Sequence, residues 1–176
     1  MNPALNRERQ RAAPSTYLIT FVCYGTWLHG EPGAVDRDHN LPGGPFVEED
    51  LIGVAAVKAR MKQEAYVLDA VRREAVLTGL KAACDRRNWA LLAAHVRSTH
   101  VHSVVQAEQT PEQVINALKC YASRELNRTG LDSPNRRRWA RHGSTRYLWK
   151  RDEVSAAIHY VVCDQGEPMA VFEEGG

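Results

Sequence analysis

The sequence predicts an α+β fold in which an antiparallel sheet carries packed helices on one or both faces, a split βαβ sandwich. Three observations point there. Apolar periods of two and of about 3.6 residues alternate along the chain in the order β–α–β–β–α–β–α. The 176 residues, 44% hydrophobic and 25% charged, suit one domain large enough to bury its own core. No apolar run approaches the roughly 18 residues that span a bilayer, and no repeat or low-complexity segment breaks the pattern.

Residues 1–14 contain Arg7, Glu8, Arg9 and Arg11 without the apolar stretch of a signal peptide, and read as a flexible N-terminal tail. Thr16 to Tyr24 is β-branched and aromatic, the profile of a strand, and Gly25 ends it. Gly30 to Pro45, rich in Gly, Pro and Asp, reads as a long loop. A helix is expected over Leu51–Lys62. A stronger one starts at Asp69 as N-cap and runs to about Arg86, with Val71, Ala75, Leu77, Leu80 and Ala83 as apolar contacts. Trp89–Val96 and His100–Ala107 pair as strands through the turn residues Arg97, Ser98 and Thr99. Thr110-Pro111-Glu112-Gln113 combines an N-cap Thr, Pro at N1 and Gln at N3, so a helix starts there and runs to about Asn127. A short strand over Thr145–Trp149 and a last helix from about Asp152 complete the order. The folded domain is expected over 15–170, with 171–176 as a C-terminal tail.

Cys23, Cys84, Cys120 and Cys163 are far apart and form no C-x-x-C pair, so neither a zinc ribbon nor a secreted disulfide framework is indicated. Reduced thiols in a cytoplasmic protein are the expectation. The net charge of +2 hides an uneven distribution. Residues 134–151 hold Arg136, Arg137, Arg138, Arg141, Arg146, Lys150 and Arg151 and no acid, which leaves 16 basic against 21 acidic residues elsewhere. Trp139, Tyr147 and Trp149 are interleaved with that run. Cations that neutralise phosphates beside aromatic faces that stack on bases suit single-stranded nucleic acid. A solvated loop whose aromatics belong to the core would show the same composition.

His100-Val101-His102 is the sharpest local feature. On a strand, residues i and i+2 share a face, so two imidazoles stand side by side while Val101 turns away. Neutral imidazoles suit a divalent cation, although the same spacing occurs in surface or hydrogen-bonded histidine pairs. Val104 stands where a triple H-x-H-x-H would need its third histidine. His95 reads as a satisfied strand histidine, His29, His39 and His142 as loop residues, and His159 as a solvated helix residue.

Two tyrosines lie on predicted helices. Val114, Leu118, Tyr121 and Ala122 form one stripe, which assigns Tyr121 to core packing. In the last helix the stripe is Val154, Ala157, Ile158 and Val161, and Tyr160 lies roughly 120° from its centre, where a phenol reaches a cleft between helix and sheet. Asp164, at i+4, shares the side of Tyr160, and Gln165 lies beside it. Either could give an oxygen ligand to a metal held by His100 and His102, with Asp164 favoured while the helix continues.

Taken together these residues resemble the single-tyrosine HUH transposases, insertion-sequence enzymes that include the REP-associated tyrosine transposases. His100-Val101-His102 matches the HUH motif. The helix from Pro111 to Asn127, the strand Arg146-Tyr147-Leu148-Trp149 and the helix with Tyr160 follow in the family's order, and Tyr24-Gly25-Thr26-Trp27-Leu28 is similar to its opening. The likeness spans about Thr16 to Pro168. One departure stands out: the family places Gln or Asn four residues after the tyrosine, whereas here Asp164 fills that place and Gln165 comes one later. Unwinding at Cys163, ahead of Gly166 and Pro168, would let Gln165 swing back to the metal.

The resemblance implies the ferredoxin-like or RRM-like form of the sandwich, the HUH endonuclease fold. It implies Mg²⁺ or Mn²⁺ on His100 and His102, with Asp164 or Gln165 as third ligand, and Tyr160 as nucleophile forming a 5′-phosphotyrosine. It further implies single-stranded DNA with hairpin element ends as partner, held by Arg136, Arg137, Arg138, Trp139, Arg141 and Arg146, and a homodimer is among the assemblies it allows. Rival readings are a domesticated, non-catalytic nucleic-acid binder and an HUH replication initiator or relaxase.

Overall fold

A computed structural model of the chain describes residues 14–26 and 50–175. The expected N-terminal tail before Pro14, the loop over 30–45, His29, His39 and the Trp27-Leu28 end of the opening motif lie outside the described residues.

The described residues form β1 (Ser15–Val22), α1 (Leu51–Arg60), α2 (Ala70–Arg87), β2 (Ala90–Val96), β3 (His100–Ala107), α3 (Pro111–Arg128), β4 (Ser144–Leu148), α4 (Arg151–Cys163) and β5 (Ala170–Glu173). The sheet order is β4-β1-β3-β2-β5, and every neighbouring pair is antiparallel. β3 lies between β1 and β2, and β1 lies between β3 and β4, so two split βαβ units interlock. The fold is the expected α+β sandwich.

Local chemistry sets the helix bounds. Asp69 caps α2 by accepting the Arg72 N–H at 2.8 Å, and Asn88 ends the helix in the left-handed region at φ 56°, a conformation that Asn tolerates. Thr110 and Gln113 form the expected capping box of α3. At Gly79 a Cβ would stand 2.7 Å from Ala122 Cα, so the glycine lets the α2 and α3 backbones approach closely.

Two hydrophobic cores result, one on each face of the sheet. Tyr17, Ile19 and Phe21 of β1 alternate with Val101 and Val105 of β3 against Leu80 of α2 and Leu118 of α3. Ala93, Val104 and Leu148 pack on the other face against Ala157 and Val161 of α4. A β-bulge between Leu91 and Ala93 changes the phase of β2. Leu91 belongs to the first core, Leu92 and Ala93 to the second, and Ala94 to the first again. The bulge therefore carries His95 to the α4 face.

The C-terminus differs from expectation. Ala170–Glu173 is a strand on the outer edge of β2, with Val96 opposite Ala170 and His95 opposite Val171, so the tail assigned from 171 is corrected. Four residues are too few for periodicity to reveal. Among the described residues, no helix is long and apolar enough to cross a membrane. Cys23 and Cys84 are buried and Cys120 and Cys163 exposed, all as free thiols.

Candidate active site

Strand register assembles the site. His102 lies opposite Thr20 of β1 on one side and His95 of β2 on the other, and Ser144 of β4 lies opposite Thr20. A row of polar residues thus crosses the sheet beneath α4. His100 and His102 meet edge to face with ring centroids 4.8 Å apart. His102 is only 5% exposed, and its Nδ1 lies 2.7 Å from the Thr20 hydroxyl. Burial pushes the His102 ring down to about 3, with His100, His95 and Arg97 adding to the effect. Burial likewise pushes His100 down to about 4, with help from Arg97 and His95. Both rings are neutral at pH 7 and keep lone pairs for a cation.

α4 brings Tyr160 over this pair. Its ring meets that of His102 at 5.6 Å between centroids, inclined by 74°, and 41% of the residue stays exposed. The stripe Val154, Ala157, Ile158 and Val161 faces the sheet, leaving Tyr160 at its edge. His95 secures the helix from below. Its Nε2 accepts the Met169 N–H at 3.2 Å, so Nδ1 carries the proton and donates to the Val161 carbonyl at 3.0 Å. Burial lowers the His95 pKa, which keeps that arrangement neutral.

The helix ends at Cys163, and this separates the two ligand candidates. Asp164, the C-cap residue, turns its carboxylate to His159 Nδ1 at 3.3 Å. Gln165 folds back instead: its amide nitrogen donates to the Tyr160 carbonyl at 3.1 Å. Among the described residues no three His, Cys, Asp or Glu side chains converge as a metal cluster. The two neutral imidazoles stand side by side, and the Gln165 side chain is folded back onto the helix end that carries Tyr160.

Tyr121 is remote from this site. It packs beside the core on the α2–α3 face, across the sheet from the histidines, with the Arg124 guanidinium over its ring.

The basic run divides into two populations. Arg138, 5% exposed, donates through Nε to Asp132 at 2.9 Å and through Nη2 to Asn127. Asp132 also receives Arg72 and the Tyr66 hydroxyl. Burial alone would raise the Asp132 carboxyl, but the Tyr66, Arg138 and Arg72 hydrogen bonds outweigh it and hold it below the usual carboxylate range. Trp139 sets its ring edge to face with Phe21 at 5.1 Å and donates its indole N–H to Lys119 O and Ser123 Oγ. Arg136 spends its guanidinium on Gln63 and on the carbonyls of Glu64 and Ala65. Arg138 and Trp139 are therefore built into the fold, which differs from the expectation that they face DNA, whereas Arg137, Arg141 and Arg146 are exposed.

Two residues that sequence reading did not single out stand at the site. Thr20 is identified only through its cross-strand register. Arg97, in the β2–β3 turn, donates to the Glu167 carbonyl and so reaches the turn that follows Gln165.

Residues 55–156 match the family model described as Transposase IS200 like. The match includes His100, His102 and the whole basic run and stops four residues short of Tyr160. No curated protein matches the chain. A solved REP-associated tyrosine transposase bound to a REP hairpin is similar, at 9% identity and a TM-score of 0.48, over 89% of this chain and 69% of that one.

Proposed function

This chain belongs to the IS200-like transposase family, and from that premise we propose that it nicks and rejoins single-stranded DNA in the cytoplasm, with Tyr160 as nucleophile. The observation that carries the reading is the half-exposed Tyr160 ring set against His102, with His100 alongside. A phenol beside two neutral imidazoles, on the edge of the helix that covers this sheet face, suits phosphoryl transfer.

His100 and His102 would hold Mg²⁺ or Mn²⁺, with the amide oxygen of Gln165, whose side chain folds back onto the Tyr160 carbonyl, as third protein donor in preference to Asp164, whose carboxylate is turned to His159. The ion would supply Lewis-acid polarisation of the scissile phosphate. The Tyr160 oxygen attacks phosphorus, the bond from phosphorus to the 3′ oxygen breaks, and a 5′-phosphotyrosine and a free 3′-hydroxyl result. The phenol proton is lost as the new bond forms, and the departing 3′ oxygen takes one up. Because the phosphodiester energy is kept in the phosphotyrosine, a 3′-hydroxyl can reverse the attack and join strands. Arg137, Arg141 and Arg146 are exposed cations available to the DNA backbone, including hairpins at the ends of an element.

Incubation with labelled, hairpin-bearing single-stranded oligonucleotides and Mn²⁺ should yield a protein–DNA adduct that survives a denaturing gel. Chelator and Tyr160→Phe should each abolish it. An adduct that persists in Tyr160→Phe would refute the assignment.

A further inference from the structure

We propose that Tyr147 and Trp149 form a seat for an unpaired base of single-stranded DNA on the outer edge of the sheet. The inference rests on the reading that the ligand is single-stranded DNA, and it adds a subsite outside the catalytic face.

The two rings are stacked, with centroids 5.0 Å apart and planes inclined by 8°. The edge-to-face contact of Tyr147 with Tyr17, also at 5.0 Å, fixes the inner ring against the core. The Glu153 carboxylate accepts the N–H groups of Trp149 and Lys150, which pins the backbone that carries the outer ring. The plate is thus held in place before anything binds. Yet Trp149 is 74% exposed and Tyr147 40% exposed, leaving broad apolar faces at and just beyond the end of β4, the edge strand among the described residues.

Charge selects the occupant. Residues 144–151 contain Arg146, Lys150 and Arg151 and no acid. An aromatic plate within such a stretch suits a ligand with flat apolar faces on an anionic backbone, the description of unpaired DNA. Side-chain alternation strengthens the case. Tyr147 lies opposite Tyr17 on the α2–α3 side, whereas Arg146 lies opposite Leu18 on the side of His100 and His102. β3, which carries the histidines, lies two strand spacings away, roughly 10 Å across the sheet, with His102 two residues and His100 four residues along from the position level with Arg146. A DNA strand draped over β4 would place a phosphate by Arg146 on the catalytic side and a base on Trp149 beyond the edge. Stacking of this kind tolerates any base.

The test is fluorescence anisotropy of the full chain with a labelled oligo-dT and with an abasic oligonucleotide of equal length. Wild type should bind oligo-dT more tightly. Trp149→Ala should weaken oligo-dT binding roughly 5- to 150-fold while leaving the abasic affinity unchanged, and Trp149→Phe should restore most of the loss. Arg146→Ala should weaken both ligands. The seat is refuted if Trp149→Ala binds both as wild type does, or loses both equally. A change in oligomeric state on Trp149→Ala, read by sedimentation, would also refute it, since the plate would then be a self-interface. Because the assay needs no cleavage, a wild type that stacks bases but forms no adduct would leave the seat standing and overturn the nuclease reading alone.

Discussion

The Thr20 hydroxyl stands 2.7 Å from Nδ1 of His102, a bond made across the ladder between β1 and β3. It leaves Nε2 as the ring nitrogen that meets other partners. A hydroxyl can donate or accept, so Thr20 satisfies Nδ1 in either tautomer of the neutral ring. With a cation on Nε2, Nδ1 must carry the proton, and Thr20 then accepts it. Partners of this kind orient a ligating histidine and raise its basicity.

Thr20→Val keeps the shape of the side chain and removes only the hydroxyl. It should lower Mn²⁺ affinity and adduct formation by about 10- to 100-fold, and Thr20→Ser should recover them. Titration calorimetry with Mn²⁺ reads the effect without reference to cleavage. Equal Mn²⁺ affinity in Thr20→Val and wild type would remove the positioning role.

The histidine pair gives the protein a defined acid sensitivity. In the unfolded chain both rings titrate near 6.5, whereas in the folded chain they titrate at about 4 for His100 and about 3 for His102. Above pH 6.5 both states are neutral and the pair does not alter stability with pH. Below it the unfolded chain binds protons that the folded chain refuses, so stability falls as pH drops from 6.5 towards 4 and 3. Ring proton resonances followed by NMR should show no transition for either residue between pH 8 and pH 5. A midpoint near 6.5 for His102 would contradict the burial assigned to it.

Arg138 and Arg137 are neighbours in sequence with opposite expected phenotypes. Arg138→Ala leaves the Asp132 carboxylate, 4% exposed, without one of its two cations, and breaking a buried pair in this way costs about 3–5 kcal/mol. Arg137→Ala removes an exposed cation, so unfolding should shift by no more than about 0.5 kcal/mol. DNA affinity should fall, with a shallower salt dependence. Urea denaturation and salt-dependent binding separate the two. Equal destabilisation by both variants would dissolve the distinction.

What could be read from sequence depended on whether a residue's partner is local. The faces of His100 and His102 follow from strand alternation, and the position of Tyr160 at the edge of its stripe follows from helix periodicity, so both were legible. Thr110 announced its helix through Gln113 three residues on. By contrast, the position of His95 beneath α4 depends on a one-residue bulge at Leu91–Ala93, which exists only against the register of β3. Arg138 and Arg141 look alike in the basic run. Only the fold places Asp132 and Asn127 around Arg138 and leaves Arg141 outside. The choice between Asp164 and Gln165 turns on where a helix stops, a boundary that periodicity locates poorly.

His95 offers a way to disturb Tyr160 without touching it. Its ring joins β2 to Val161, the residue after Tyr160, and to Met169, just before β5. His95→Leu preserves bulk in a fully buried site but leaves the Val161 carbonyl and the Met169 N–H without that partner. Each unsatisfied buried group costs about 1–3 kcal/mol, so the melting temperature should drop. Hydrogen exchange should quicken in the last turn of α4, and adduct formation should fall more than noncovalent DNA binding, because the nucleophile is loosened while the exposed arginines are unchanged. His95→Gln, which can keep one of the two bonds, should lie between the extremes. If His95→Leu melts lower yet forms adduct at the wild-type rate, His95 supports the fold alone and does not position Tyr160.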